Sequence, residues 1–194
     1  MRPYRIAVAG THSTGKSTFL GVLQNEFEAR GVVVRYVHDS AAKARELGFP
    51  ILSQHTFEST AWLMAHAIEL ETQATLAAEV ILVDRPVPDA LGYLLAALEH
   101  TDRELEPGRL NRLESICRAW SAEYDLVFLT VLDPDVPLGE GRDDDTVFRR
   151  LAGAKVAGVV DRYIPHRRLL HNGKRAEAVA AAVEAYGAYQ GAPG

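Results

Sequence analysis

Near the amino end, Gly10-Thr11-His12-Ser13-Thr14-Gly15-Lys16-Ser17 fits the pattern G-x-x-x-x-G-K-[ST] with no departure. The chemistry of that spacing is the binding of a phosphate chain. Glycines let the backbone curl, and the successive N–H groups of Thr11, His12, Ser13, Thr14, Gly15 and Lys16 then form a concave nest for an anion. A helix beginning at Lys16 adds its positive dipole end. Lys16 reaches the β- and γ-phosphates of a nucleotide, and the Ser17 hydroxyl ligates Mg²⁺. Asp84 follows the apolar run Val80-Ile81-Leu82-Val83, the setting in which a carboxylate orients Mg²⁺ directly or through water. Arg85, beside it, is placed to meet the transferring phosphoryl group or a substrate phosphate. Asp39 follows a second apolar run. It either faces the γ-phosphate, as general base or holder of an acceptor hydroxyl, or merely caps the next helix. His38 is a weaker candidate for base.

These residues need a scaffold that brings strand ends together, and the sequence alternates strand and helix. Strands are predicted at Tyr4 to Ala9, Val32 to Val37, Val80 to Val83, Leu126 to Leu129 and, weakly, Arg168 to Leu170. Helices are predicted at Lys16 to Arg30 (ended by Gly31), Ala41 to Leu47, Thr56 to Ala78, Asp89 to Leu98, Arg109 to Glu123, Thr146 to Tyr163 and Arg175 to Tyr189. In the long third helix, Phe57, Ala61, Met64, Ile68 and Thr75 recur at helical spacing, widened by Trp62, Leu63 and Leu70. Strands two to four are almost continuously apolar, as parallel strands covered on both faces are. The expectation is an α/β fold, a three-layer doubly wound parallel sheet of five strands, with ligands beyond the carboxyl ends of the strands. Residues 1–194 are expected to form a single kinase-type domain, with a polar, Gly- and Pro-containing lid over about 133–150. Arg142 on that lid would neutralise phosphoryl charge and exclude water, with Arg149 and Arg150 behind it. The acceptor pocket is expected within residues 40–75 and 86–115, with Trp62, Gln54 and Phe57 in its wall.

Composition narrows the function further. The chain has 194 residues and a formal net charge of -5, so non-specific binding to nucleic acid is not expected. No apolar run approaches the roughly 20 residues of a membrane span, and the start of the chain leads directly into the first strand, without the features of a signal peptide. Cys117, the one cysteine, reads as a small core residue, and a single thiol suits a reducing cytoplasm. The histidines outside the loop, among them His55, His66 and His100, show no metal-ligand spacing.

The loop, Asp39 followed by Ala44-Arg45-Glu46, and above all Val83-Asp84-Arg85-Pro86-Val87-Pro88-Asp89-Ala90-Leu91-Gly92-Tyr93 form a recognisable set. With Tyr124-Asp125-Leu126-Val127-Phe128-Leu129, they make the chain resemble the P-loop kinases of the nucleoside and nucleotide kinase group. It is most similar to the AAA_28-type ATPase/kinase family, which includes the nicotinamide-riboside kinase domain of bifunctional NAD-biosynthesis proteins, and more distantly to thymidylate kinases. The resemblance implies strand order 2-3-1-4-5, ATP with Mg²⁺, and a small-molecule alcohol or phosphate as acceptor. It also implies Thr18 on the α-phosphate side and the turn Asn172-Gly173-Lys174 near the adenine. Two positions depart from the family's pattern. Asp39 stands where relatives often carry Glu, and the lid reads Glu140-Gly141-Arg142 where relatives often have Asp-Gly-x-Arg.

The leading expectation is therefore an ATP- and Mg-dependent small-molecule kinase that transfers the γ-phosphoryl group to a nucleoside-like alcohol or a nucleotide acceptor, with Lys16, Asp39, Arg85 and Arg142 as its catalytic groups. The alternative is an NTPase switch that binds a protein or lipid partner. It lacks support from an Asn-Lys-x-Asp guanine motif or a glutamine placed to orient water. A DNA-associated ATPase is disfavoured by charge. The apolar long helix serves either the core or a homo-oligomer interface.

Overall fold

A computed structural model describes residues 2–132 and 145–191. The lid segment 133–144, with Arg142, lies outside the described residues.

In chain order the elements are β1 (Tyr4–Ala9), α1 (Lys16–Glu28), β2 (Val34–Val37), α2 (Ala41–Glu46), α3 (Phe57–Ala74), β3 (Val80–Asp84), α4 (Val87–His100), α5 (Pro107–Ser121), β4 (Leu126–Thr130), α6 (Thr146–Tyr163), β5 (Arg168–Leu170) and α7 (Arg175–Gly191). Short 3-10 turns lie at Leu52–Gln54 and Asn172–Lys174. The five strands pair in the order β2-β3-β1-β4-β5, every pair parallel. This is the expected order. Each strand ends on the same edge, so the turns after β1, β2 and β3 share one rim. The register sets Val8 opposite Asp84, which brings the acidic residue level with the start of the loop.

Side-chain alternation along the strands sends residues to two faces. Ala7, Ala9, Ile81, Val83, Val127 and Leu129 pack with Phe148, Val156 and Val160 of α6 and Tyr93, Ala96 and Ala97 of α4. Ile6, Val8, Val80, Leu82 and Phe128 pack with Phe19, Leu20, Leu23 and Phe27 of α1 and with Tyr186 of α7. Outside the sheet, α3, α4 and α5 share a further core of Met64, Leu91, Leu94, Leu113 and Cys117. The buried Cys117 is thus a packing residue. α4 touches both the sheet and the outer helices, and a Cβ at its Gly92 would come within 2.6 Å of the Val156 Cα. Only glycine lets α4 and α6 cross so closely.

The element boundaries differ from expectation for local reasons. α4 starts at Val87 because the extended Pro86 caps it and Pro88 falls in its first turn, where a missing N–H costs no helical bond. β2 starts at Val34 because the carbonyl of Val33 is taken by the amides of Glu79 and Val80. The long helix opens as expected, on a capping box between Thr56 and Ser59. Its buried stripe, however, runs through Glu71. That position lies at helical spacing between Ile68 and Thr75, and its charge had hidden it. Its carboxylate accepts hydrogen bonds from Trp120 Nε1 at 2.8 Å and the Tyr124 hydroxyl at 2.9 Å.

Candidate functional site

The loop between β1 and α1 is shaped by left-handed residues: Gly10 at φ 135°, Ser13 at 55° and Gly15 at 78°. Gly10 and Gly15 are the glycines of the motif. A Cβ on Gly10 would collide with the Thr130 hydroxyl, and one on Gly15 with the Arg175 guanidinium. Within the curl, the Thr14 hydroxyl donates to the Thr11 carbonyl at 3.0 Å and meets the Thr130 hydroxyl at 2.9 Å. Lys16 Nζ folds back onto the Thr11 carbonyl at 2.6 Å. Thr11, His12, Thr14 and Lys16 are buried, whereas Ser17 and Thr18 stand exposed in the first turn of α1.

Ser17 and Asp84 meet as their types required. The Ser17 hydroxyl donates to Asp84 Oδ2 at 2.7 Å, and Tyr36 of β2 donates its hydroxyl to the same oxygen at 3.2 Å. Asp84 Oδ1 is buried with no hydrogen-bond partner among the described residues. A hydroxyl and a carboxylate with an uncommitted oxygen fit Mg²⁺, which takes few protein ligands and completes its shell with phosphate oxygens and water. The described residues hold no group of three or more His, Cys, Asp or Glu able to cage a metal. Burial and the neighbouring Asp84 raise the pKa of Tyr36, so its phenol stays a donor.

α4 braces the loop from one side, a role local sequence signals do not reveal. Asp89 is buried and accepts the Gly10 amide, 3.2 Å from its Oδ2. The Tyr93 hydroxyl accepts the His12 amide at 3.0 Å and lies 3.4 Å from the Thr11 hydroxyl. Both residues belong to the stretch Val83 to Tyr93, and their spacing of four puts them on one helix face. Over the Tyr93 ring, 5.0 Å from its centroid, lies the Arg85 guanidinium. Arg85 itself has a left-handed backbone, φ 65°, which turns its side chain back along the rim.

From there Arg85 Nε reaches Asp39 Oδ2 at 2.7 Å. The other oxygen of Asp39 accepts the amide of Ala41, the first residue of α2, at 2.8 Å. Asp39 thus binds the backbone at the start of α2 and pairs with Arg85 at the cavity wall. His38 stacks on Tyr36 with ring centroids 4.2 Å apart. A cavity opens beside this pair, bounded by Asp39, Asp84, Arg85, Asp89 and Tyr93 and walled by Ile51, Leu52, His55, Leu63, Ala67 and Ala90. Gln54, Phe57 and Trp62, the expected wall, do not line it. Trp62 instead stacks between Phe49 and His66, because the cavity sits one position further around α3.

Two more arginines reach the loop. Arg149 of α6 is buried and donates to the His12 carbonyl at 3.3 Å and the Ser13 carbonyl at 3.0 Å. Arg150 is exposed and turns back to Thr146. Arg175, where α7 begins, binds Asn172 Oδ1 at 2.8 Å and lies over Gly15. The turn expected near an adenine thus borders the loop through Arg175, which the sequence gave no reason to single out.

Charge is concentrated here. Burial and the nearby Arg85 guanidinium push the Lys16 ammonium below its ordinary range, while Asp89, Asp84 and Asp39 oppose them. Burial raises the Asp89 carboxyl, against the pull of Arg85, Lys16 and the Gly10 amide. A dense anion laid in the loop would relieve the first effect, since it holds Lys16 in its charged form.

Solved structures share this architecture. NadR in complex with NR gives a TM-score of 0.70 at 14% identity, over 95% of this chain and 52% of that one. NadR with NAD and AMP-PNP gives 0.69 at 14%, over 95% and 50%. Deoxyadenosine kinase from M. mycoides with bound dATP gives 0.61 at 12%, over 93% and 99%. The chain spans about half the length of the NadR chains it matches. At these identities the likeness is one of fold. No curated protein matches the chain by sequence. The AAA_28 family, described as an AAA domain, matches residues 5–163, the stretch that carries the loop, Asp39, the Asp84–Tyr93 block and α6, and the chain belongs to that family.

Proposed function

We propose that this protein is an ATP- and Mg-dependent kinase that passes the γ-phosphoryl group to a small nucleoside-like alcohol. The observation that carries the reading is the shared cavity. Asp39, Asp84 and Arg85 line one pocket beside the phosphate loop, so a second substrate sits next to the phosphate chain. A hydrolytic switch needs only room for water.

The loop amides and Lys16 hold the triphosphate. Ser17 and Asp84 would hold Mg²⁺, which when bound neutralises β- and γ-phosphate charge. Asp39 accepts the proton of the acceptor hydroxyl, whose oxygen forms the new bond to the γ-phosphorus as the bond to the β–γ bridging oxygen breaks and ADP departs. Arg85 spans the two events. It fixes Asp39 through its Nε and, stacked on Tyr93, presents a partly buried guanidinium where charge builds up. Arg142 on the lid segment is the further candidate for that charge.

The test is a phosphoryl-transfer screen with ATP and Mg²⁺ against nucleosides, nucleoside monophosphates and sugar-like alcohols. ADP release that depends on an acceptor supports the kinase, and hydrolysis that no acceptor accelerates replaces it with the switch. Asp39→Asn turning over undiminished removes Asp39 from the mechanism.

A further inference from the structure

His55 lines the cavity, and its ring is set in one protonation form by the backbone. It follows the 3-10 turn Leu52–Gln54, which begins with Leu52 at φ 58°, a strained value for a side chain branched at Cγ. That turn brings the Leu52 carbonyl to 2.8 Å from His55 Nδ1. A carbonyl oxygen only accepts, so Nδ1 carries the proton, and in a neutral ring Nε2 is then a bare acceptor. Arg103 locks the turn from outside, donating to the carbonyls of Ser53 and His55 at 3.3 and 3.0 Å. The ring is buried, 5.6 Å from the Tyr93 ring centroid, and lines the same cavity as Asp39 and Arg85. Among the described residues the ring's hydrogen bond is made through Nδ1 and none is made through Nε2.

We propose that His55 is a recognition residue for the phosphoryl acceptor, its Nε2 accepting a hydrogen bond from a hydroxyl or N–H of that molecule other than the hydroxyl that is phosphorylated. The inference rests on the kinase reading and deepens it. The substrate carries at least two donor groups, one for Asp39 and one for His55, and a molecule lacking the second leaves a buried acceptor unpaired.

The electrostatics agree with the geometry. Burial pushes the imidazole down to about 4, helped by Arg85 and Arg103 and opposed by the Leu52 carbonyl and Asp39. The ring therefore stays neutral across the physiological range, as an acceptor must.

Two measurements test the proposal. Long-range ¹⁵N–¹H spectra of the histidine-labelled wild-type protein at pH 7 should show His55 as the neutral Nδ1–H tautomer. An Nε2–H tautomer or an imidazolium overturns the proposal without any mutation. The second is steady-state kinetics with ribonucleosides, each paired with analogues lacking one hydroxyl or amino group. His55→Asn keeps a donor for the Leu52 carbonyl and removes the distal acceptor. It should raise the acceptor KM about tenfold while leaving the KM for ATP within about twofold. His55→Gln, which restores an oxygen at the distal position, should recover most of that loss. One analogue should bind wild type and His55→Asn equally, and so identify the group that His55 reads. Equal losses across all analogues, or no loss, overturn the proposal alone. A wild-type protein that phosphorylates no acceptor overturns the kinase reading and this inference with it.

Discussion

Glu71 offers the sharpest quantitative test of the scaffold beneath the site. It is a fully buried carboxyl on α3 whose two oxygens accept from Trp120 Nε1 and the Tyr124 hydroxyl. The Tyr124 oxygen in turn accepts the amide of Val87, the first residue of α4, at 3.1 Å. Burial outweighs both donated bonds and pushes the carboxyl from its ordinary 4.5 up to about 7. The native state therefore holds this proton between pH 4.5 and 7, where the unfolded chain releases it. The corresponding stability is fully present below pH 4.5 and is lost as pH rises through 7. At about 1.4 kcal/mol per pKa unit, the loss amounts to about 3 kcal/mol at pH 8. Glu71→Gln resembles the protonated form. It should match wild type in urea unfolding at pH 4.5, followed by tryptophan fluorescence, and exceed it by about 3 kcal/mol at pH 8. Acceptor-dependent ADP release should stay close to wild type, because the Tyr124–Val87 link that seats α4 is kept. A stability difference that does not change with pH, or one that favours wild type at pH 8, refutes the reasoning.

Three further outcomes follow from the loop and its braces. Tyr93→Phe removes the oxygen that accepts the His12 amide but keeps the ring under Arg85. It should cost about 1–2 kcal/mol of stability and weaken ATP binding measured by calorimetry, and unchanged binding would remove the hydroxyl from loop positioning. Gly10→Ala drives a Cβ into the Thr130 hydroxyl at φ 135°. Nucleotide-dependent thermal stabilisation should disappear, and Thr130→Ala in the same chain should not restore it fully, since the backbone strain remains. Asp84→Asn should raise the Mg²⁺ concentration for half-maximal ADP release at least about tenfold while leaving metal-free nucleotide binding within a factor of about three. Equal losses with and without metal would place Asp84 in the scaffold.

How far the sequence revealed this protein depended on whether a feature was written locally. Gly31, Thr56 and the unbroken apolar strands punctuate the chain through neighbours in sequence, so strand positions and helix starts were legible within a few residues. The positions of the loop, Asp84, Arg85 and Asp39 were legible for the same reason, since each lies at or just beyond the end of a strand. Arg149 and Tyr93 were not assigned their roles, because these exist only through contacts 136 and 81 residues apart. Helical periodicity showed that α3 buries a face but not which part of that face borders a cavity. Gln54, Phe57 and Trp62 were named for a wall that Leu63, Ala67 and His55 form. Glu71 was passed over because a charge looks like surface until Trp120 and Tyr124 are seen beside it.

Tyr93 shows why the two halves of the site act as one unit. Its hydroxyl holds the His12 amide of the loop, its face carries Arg85, and its edge of the cavity meets His55. Arg85 links that ring to Asp39. An anion that reshapes the loop must shift the Tyr93 hydroxyl, and an acceptor in the cavity must press on the same ring. On the proposed kinase reading, nucleotide and acceptor would be coupled through one rigid aromatic side chain on α4. The crossing of α4 against α6 at Gly92 leaves little space for it to yield. Close packing of this kind transmits a displacement instead of absorbing it. If so, the affinity for ATP must depend on the occupant of the cavity, and by linkage the reverse holds by the same factor. Tyr93→Phe, which cuts the bond to the loop while leaving the ring in the cavity, should reduce that mutual dependence more than it reduces the affinity for the acceptor alone.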